Sequence, residues 1–202
     1  MIRAETIVGD VSGLPDHNVG PASLGWWGAI GFILVQCMGF VLTICAYYYM
    51  LTRDLSGLPN AEPPLLLWSS IVTGLAIASE IPNAWVKRRA RQNDLRATQL
   101  GLLLVTGIGV SLLALRMVEF AALDVRWDSN AHGSIVWSLL VLHSTCMAAA
   151  VIGWGVMAAQ AFRMEVTGRR FSAIAPGALQ WHFVVWSWVV LYVVIYWTPR
   201  WQ

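Results

Sequence analysis

Charge is what this sequence lacks most. Lysine, arginine, aspartate and glutamate make up 12% of its 202 residues, about half the ~25% share of a typical globular domain. Apolar residues reach 57% and mean hydropathy is +0.61. Too few charges remain to clothe a water-facing surface. Disorder, which needs low hydrophobicity and high net charge, is excluded. A net charge of +2 is too small to point to nucleic acid as a partner. Cysteine is sparse as well: Cys37, Cys45 and Cys146 all lie in apolar runs without metal-ligand spacing. They read as buried thiols, not as a disulfide framework or a zinc site. No internal repeat is visible, and the N-terminal stretch lacks the apolar core of a signal peptide.

Long apolar runs are what the sequence has instead. A helix needs roughly 20 mainly apolar residues to cross the ~30 Å hydrocarbon layer, and the runs at about 26–50, 64–86, 99–123, 134–162 and 178–197 qualify. The runs are continuous, without the alternation of a membrane β-strand. The expected fold is all-α: an integral membrane bundle of five transmembrane helices over 25–202, preceded by a polar arm over 1–24. Leu58-Pro59-Asn60 and Pro63-Pro64 break the chain before the second run, and Gly168 with Pro176-Gly177 before the fifth.

Basic residues predict the orientation. Lys87, Arg88, Arg89, Arg91 and Arg96 follow the second run, Arg163, Arg169 and Arg170 the fourth, and Arg3 lies in the arm. The opposite side holds only Arg53, Arg126 and Arg200. This excess puts the N-terminus in the cytoplasm and the C-terminus outside. The chain is rich in tryptophan, with 12. Trp26, Trp27, Trp68, Trp85, Trp127, Trp197 and Trp201 lie at or near span ends, where an indole has one wet and one apolar edge.

Ionisable groups inside a span cost at least ~2.5–3.5 kcal/mol each on insertion scales, so each needs a partner or a task. Arg116 and Glu119 share a helical face and can pair; Glu119 can alternatively face a neighbouring helix and fix its packing. Glu80 has no base one turn before it; it is expected near the cytoplasmic interface, reaching toward Lys87 or Arg88, with a proton-relay role as the alternative. Pro82 removes a backbone donor there and frees the carbonyl near Ala78, which predicts a kink or a wet spot. His143 and His182 invite a haem between spans. The helical rise places His143 roughly 14 Å inside one end of its span and His182 roughly 6 Å inside the opposite side. They differ by roughly 10 Å in a ~30 Å core, too far for one haem. No Cys/His/Met cluster suits copper, and Ser134, Ser144 and Cys146 lack a base-and-orienter set for nucleophilic catalysis. Gly28-x-x-Gly31, Gly107-x-Gly109 and Gly153-x-Gly155 mark candidate close helix contacts.

Several short motifs fall in a recognisable order. His132-Gly133-Ser134 followed by Leu142-His143-Ser144 is similar to the Tyr-Gly-Ser and Phe-His-Gly pattern of subunit III of haem-copper respiratory oxidases. Trp181-His182-Phe183-Val184, then Trp188 and Tyr196-Trp197, resembles that family's C-terminal signature. Val118-Glu119-Phe120 and Trp27-Gly28-x-Ile30-x-Phe32 match it at the third and first spans. The resemblance covers about residues 25–200, and five spans fit the short bacterial form.

The resemblance implies a non-redox subunit of a cytochrome c oxidase-type terminal oxidase in a bacterial plasma membrane. Such a subunit packs against catalytic subunit I, with subunit II in the complex. The haems and copper lie in those partners, none in this chain, and phospholipid is bound. Glu80, Arg116, Glu119, His143, Trp181 and His182 would then be structural or lipid-organising positions, and Gly133-Ser134 would open the fourth span. Three positions depart from the family: Gln36 stands where the family has a carboxylate, Cys146 where it has a second histidine, and Val185 where it has an aspartate. These departures keep two alternatives open, a nitric oxide reductase-associated subunit and the third subunit of a quinol oxidase. A stand-alone transporter would need a polar midplane site on broken helices; only Gln36, Thr43 and His143 lie near mid-depth.

Overall fold

The computed structural model describes residues 23–52, 66–123, 126–128, 131–163 and 173–200. The described residues are helical apart from short turns. The helices are α1 (Leu24–Thr52), α2 (Leu66–Ala78), α3 (Glu80–Arg91), α4 (Leu95–Ala121), α5 (Ala131–Arg163) and α6 (Ile174–Tyr192). One π-helical turn, Val193–Trp197, and a 3₁₀ turn, Thr198–Arg200, extend α6. Four helical stretches are each long and apolar enough to cross a bilayer: Leu24–Thr52, Leu95–Ala121, Ala131–Arg163 and Ile174–Arg200. Hydrocarbon offers no backbone partners, so continuous helices are the economical solution there. The chain is a multi-pass membrane protein.

The second apolar run, expected as one span with a kink or wet spot near Ala78, is broken at that place. It divides at Ser79 into α2 and α3, neither long enough to cross alone. The reason is local. Pro82 has no N–H for the Ala78 carbonyl, and the Ser79 hydroxyl donates to the Ala76 carbonyl at 2.5 Å. A helical backbone bond from Asn83 N to Ser79 O, 3.2 Å, resumes the ladder beyond the break. Pro176 and Gly177 differ from expectation. They lie inside the first turn of α6 and do not precede it, a position where a missing N–H costs nothing.

The turn between α3 and α4 is built by two polar residues. Asn93 takes φ 55°, a left-handed conformation that asparagine tolerates better than most. Asp94 then caps α4 by accepting from Ala97 N at 3.2 Å. Between α4 and α5, Arg126 donates twice to Asp128, at 3.0 and 2.9 Å. Those bonds hold the Asp128 carboxyl below its usual range.

Helices α1, α2/α3 and α5 surround α6, and α4 packs on the far side against α2/α3 and α5. Helix α5 touches α1, α4 and α6; α4 touches α2, α3 and α5; and α6 touches α1, α2, α3 and α5. The buried residues of α4 run Thr98, Leu102, Val105, Gly109, Leu112, Arg116, Glu119, a single face at helical spacing. In α1, by contrast, only Gln36, Phe40 and Tyr47 are buried. In its most apolar stretch 11% of residues are buried, against 50% for α6, so α1 is the peripheral helix. This overturns the expectation of three buried thiols: Cys146 is buried, but Cys37 and Cys45 are exposed on α1.

Among the glycines marked as candidate close helix contacts only Gly109 makes a tight contact. A Cβ there would lie 2.6 Å from Val151 and 3.1 Å from Trp181, whereas Gly28, Gly31, Gly107 and Gly153 face open space. The unflagged Gly101 is equally close-packed, with Val86 2.8 Å from a Cβ position. The polar arm over 1–22, the linker at 53–65, and Arg3, His17, Arg53, Gly168, Arg169, Arg170 and Trp201 lie outside the described residues.

Candidate functional site

The internal polar groups collect along one seam, where the broken helix pair α2/α3 faces α6. Ser69, Thr73, Glu80 and Asn83 recur at helical spacing on α2/α3. Across the seam, Trp188 Nε1 donates to Thr73 Oγ1 at 2.9 Å and Trp181 Nε1 donates to Ser79 Oγ at 2.9 Å. Asn83 Nδ2 donates to the Ala178 carbonyl at 3.2 Å. Each tryptophan thus buries a large apolar body and satisfies its single donor. Trp181, read from sequence as a structural or lipid-organising position, is fully buried. Its work is to dock α6 on the helix break and on Gly109.

At the end of α4 the seam widens into a buried ionic cluster. Arg116 Nη1 donates to Glu119 Oε2 at 2.5 Å, and both side chains are almost wholly buried. Both sequence readings of the pair hold together: the ion pair is intrahelical, and Glu119 also reaches α6 by accepting from the Tyr196 hydroxyl at 2.5 Å. The Arg116 guanidinium stacks on the Trp188 ring, with its carbon 3.6 Å from the ring centroid. A desolvated cation–π contact of this kind contributes ~2 kcal/mol. Arg116 Nη2 also lies 3.4 Å from His143 Nδ1, and His143 Nε2 lies 3.0 Å from the Val184 carbonyl. Both ring nitrogens of His143 are therefore engaged by protein, and the histidine ties α5 to α4 and α6. Beneath the guanidinium, Arg116 and His143 line a small cavity with Val72, Leu112, Met147 and Trp188. Arg116 Nε itself has no protein partner.

A second cluster sits toward the other end of α6. His182 Nδ1 lies 3.1 Å from Glu80 Oε2, and Asn83 Nδ2 lies 3.2 Å from the same oxygen. Glu80 does not turn to Lys87 or Arg88; its partners are on α6 and one turn along α3. One helical position before Trp181, Gln180 Nε2 donates to Gln36 Oε1 at 2.8 Å. This amide pair, both members buried, links the peripheral α1 to α6, and Tyr48 with Thr198, 3.2 Å apart, links α1 to the turn that extends α6.

The two histidines belong to separate clusters. Neither cluster contains a nucleophile with a base, and among the described residues no group of three or more His, Cys, Asp or Glu side chains could hold a metal ion. The geometry is that of internal fastening. Sequence reading found the charged members and missed Ser69, Thr73, Ser79, Asn83 and Tyr196. The signal for the first four was present, because they share one face of the second apolar run, on either side of Pro82.

No family model matches the chain. Its similarities to known proteins are long and low. It is 22% identical over 178 residues to cytochrome c oxidase subunit 3 of Drosophila melanogaster, spanning 85% of this chain and 68% of that protein. For cytochrome c oxidase subunit 3 of Yarrowia lipolytica the identity is 20%, with 95% of this chain and 74% of the relative covered. For that of Chondrus crispus it is 21%, with 98% and 73% covered. The chain is a divergent subunit III-like protein.

Proposed function

We propose that this chain is the non-redox third subunit of a respiratory terminal oxidase, packed on the subunit that holds haem and copper. The observation that carries this reading is the similarity to cytochrome c oxidase subunit 3 along most of the chain. The interior is consistent with it. Glu119, His143, Trp181 and His182, all in motifs that resemble the family, are spent on helix-to-helix contacts. Oxygen reduction and proton pumping then belong to the assembly, and this chain braces it and orders phospholipid around it.

In this reading α2 and α3 act as one broken span. The bundle then crosses the bacterial plasma membrane five times, with the N-terminus cytoplasmic and the basic turn from Lys87 to Arg96 on that side. A second reading, a nitric oxide reductase-associated subunit, draws on one feature: Gln36 is a buried amide locked to Gln180, and an amide cannot titrate. The test is to delete the chain and assay membranes for oxygen and for nitric oxide consumption. The proposal expects the haem spectrum to persist while oxygen turnover becomes slower or less durable. Loss confined to nitric oxide consumption favours the second reading, and unchanged turnover of both removes the two together.

A further inference from the structure

We infer that the outward arginines around the α3–α4 turn, Arg88, Arg91 and Arg96, hold an anionic phospholipid by its phosphate, with its acyl chains along the apolar residues one to two turns deeper. The inference gives a lipid class and a place to the lipid-ordering part of the reading above, and it needs only that the chain spans a membrane. The two ends of the bundle differ. At the end away from this turn both described cations are already taken: Arg126 donates twice to Asp128, and Arg200 donates to the Tyr196 carbonyl. Around the α3–α4 turn lie Lys87, Arg88, Arg89, Arg91 and Arg96, and the acid beside them, Asp94, is engaged by Arg89 at 3.9 Å. Arg89 also reaches Gln92 and lies over Trp85, 5.8 Å from a ring centroid. Arg88, Arg91 and Arg96 are exposed and have no acceptor among the described residues.

A surplus of bases is enough to orient a pair of spans; their placement does more. Ile81, Ala84, Arg88 and Arg91 recur at helical spacing and all four are exposed, so they form one outward stripe of α3. Arg88 and Arg91 are three apart on that stripe, close enough for two guanidinium groups to converge on one phosphate. Deeper along it Ile81 is 74% exposed, and Ala84 between them adds no bulk. Helix α4 repeats the order, with Arg96 at its start and the exposed Leu100, Leu103 and Leu104 below it. Gln99 donates to the Ala161 carbonyl at 2.8 Å and so brings the end of α5, with the exposed Arg163, beside the start of α4. Charge above and hydrocarbon below is the profile of a phospholipid. A free phosphate or an acidic peptide would leave the aliphatic stripe uncovered. A zwitterionic lipid brings its own cation into a field of cations, so the surplus selects a headgroup of net negative charge.

The test takes the purified chain, with the partners it retains, into nanodiscs of equal phosphatidylglycerol and phosphatidylcholine. The protein is then extracted in mild detergent and its retained lipids are counted by mass spectrometry. Phosphatidylglycerol should be enriched roughly tenfold over phosphatidylcholine. Arg88→Gln/Arg91→Gln should bring the ratio close to parity, and Arg88→Lys/Arg91→Lys should keep most of the enrichment. Arg126→Gln, at the opposite end, should leave it unchanged. Loss of two bases can disturb insertion, so the unaltered chain supplies an independent measure: extraction in roughly 1 M salt should remove most of the enrichment by screening. Equal retention of both lipids by the unaltered chain overturns the site, as does an enrichment that survives either Arg88→Gln/Arg91→Gln or high salt. Enrichment that appears only with Glu5→Gln/Asp10→Asn/Asp16→Asn assigns the arginines to the chain's own N-terminal arm and also overturns it. Absence of any haem protein from the preparation overturns the subunit reading instead, while the lipid ratio still decides the site.

Discussion

Tyr196 donates its hydroxyl to Glu119 across 2.5 Å, and so binds the end of α6 to the last turn of α4. The widened turn Val193–Trp197 carries that tyrosine inward to a buried position. π-helical turns are rare and often sit where one side chain must be re-aimed. With Arg116 on the second carboxylate oxygen, Glu119 spends both oxygens inside the protein. Both of its oxygens thus have partners on the protein's own helices.

Arg116 and Glu119 depend on each other. Glu119→Gln or Arg116→Leu leaves its partner as an uncompensated buried charge, at a cost of about 3–5 kcal/mol. The double variant Arg116→Met/Glu119→Leu should cost clearly less than the sum of the two singles. Thermal unfolding in mild detergent measures this, and additive losses would contradict it. Tyr196→Phe strands one carboxylate oxygen and should cost about 1–3 kcal/mol.

Gly109 is the close-contact point of α4 with α5 and α6. Gly109→Ala drives a methyl to 2.6 Å from Val151, a stiff β-branched side chain, and 3.1 Å from the buried Trp181 ring. Overpacking of this kind typically costs ~1–3 kcal/mol. Two residues earlier, Gly107→Ala meets nothing within 4 Å and should be neutral or slightly stabilising. Equal effects in a thermal-shift comparison of the two variants would show that the tight packing at Gly109 is not what holds these helices together.

How far the sequence carried can be judged from particular residues. Four spans were legible because helix length and apolar content are set by bilayer thickness alone. The division at Ser79 was half legible: Pro82 marked the lost hydrogen bond, but the hydroxyl of Ser79 that takes over the Ala76 carbonyl depends on Trp181, about a hundred residues away. Arg116 with Glu119 was readable from spacing within one helix. Tyr196 was not, because its reach to Glu119 depends on a π-helical turn that periodicity does not encode. Cys37 and Cys45 were misjudged because an apolar neighbourhood in a membrane helix means lipid as readily as protein. The pairing of Glu80 with His182 was also hidden, since a sequence shows the nearest cation along the chain and not the nearest in space.

Gln36 should be inert to carboxyl chemistry. A lipid-soluble carbodiimide needs a protonated carboxyl, and α1 contains no acidic residue. Glu119 is shut in by Arg116 and Tyr196. Peptide mapping after treatment of the purified chain should therefore place any adduct on Glu80, with α1 and α4 unmodified. An adduct on Glu119 would show that the ionic cluster opens in the membrane.

The central claim is that this chain braces a larger electron-transferring assembly and carries no electrons itself. Affinity purification of the tagged chain in mild detergent tests it most directly, followed by stripping of the partners and visible spectroscopy on each fraction. The account predicts stoichiometric recovery of a larger multi-span haem protein, with the Soret absorbance entirely in that partner and none in the stripped chain. A chain recovered alone, or one that keeps a haem band after stripping, contradicts it.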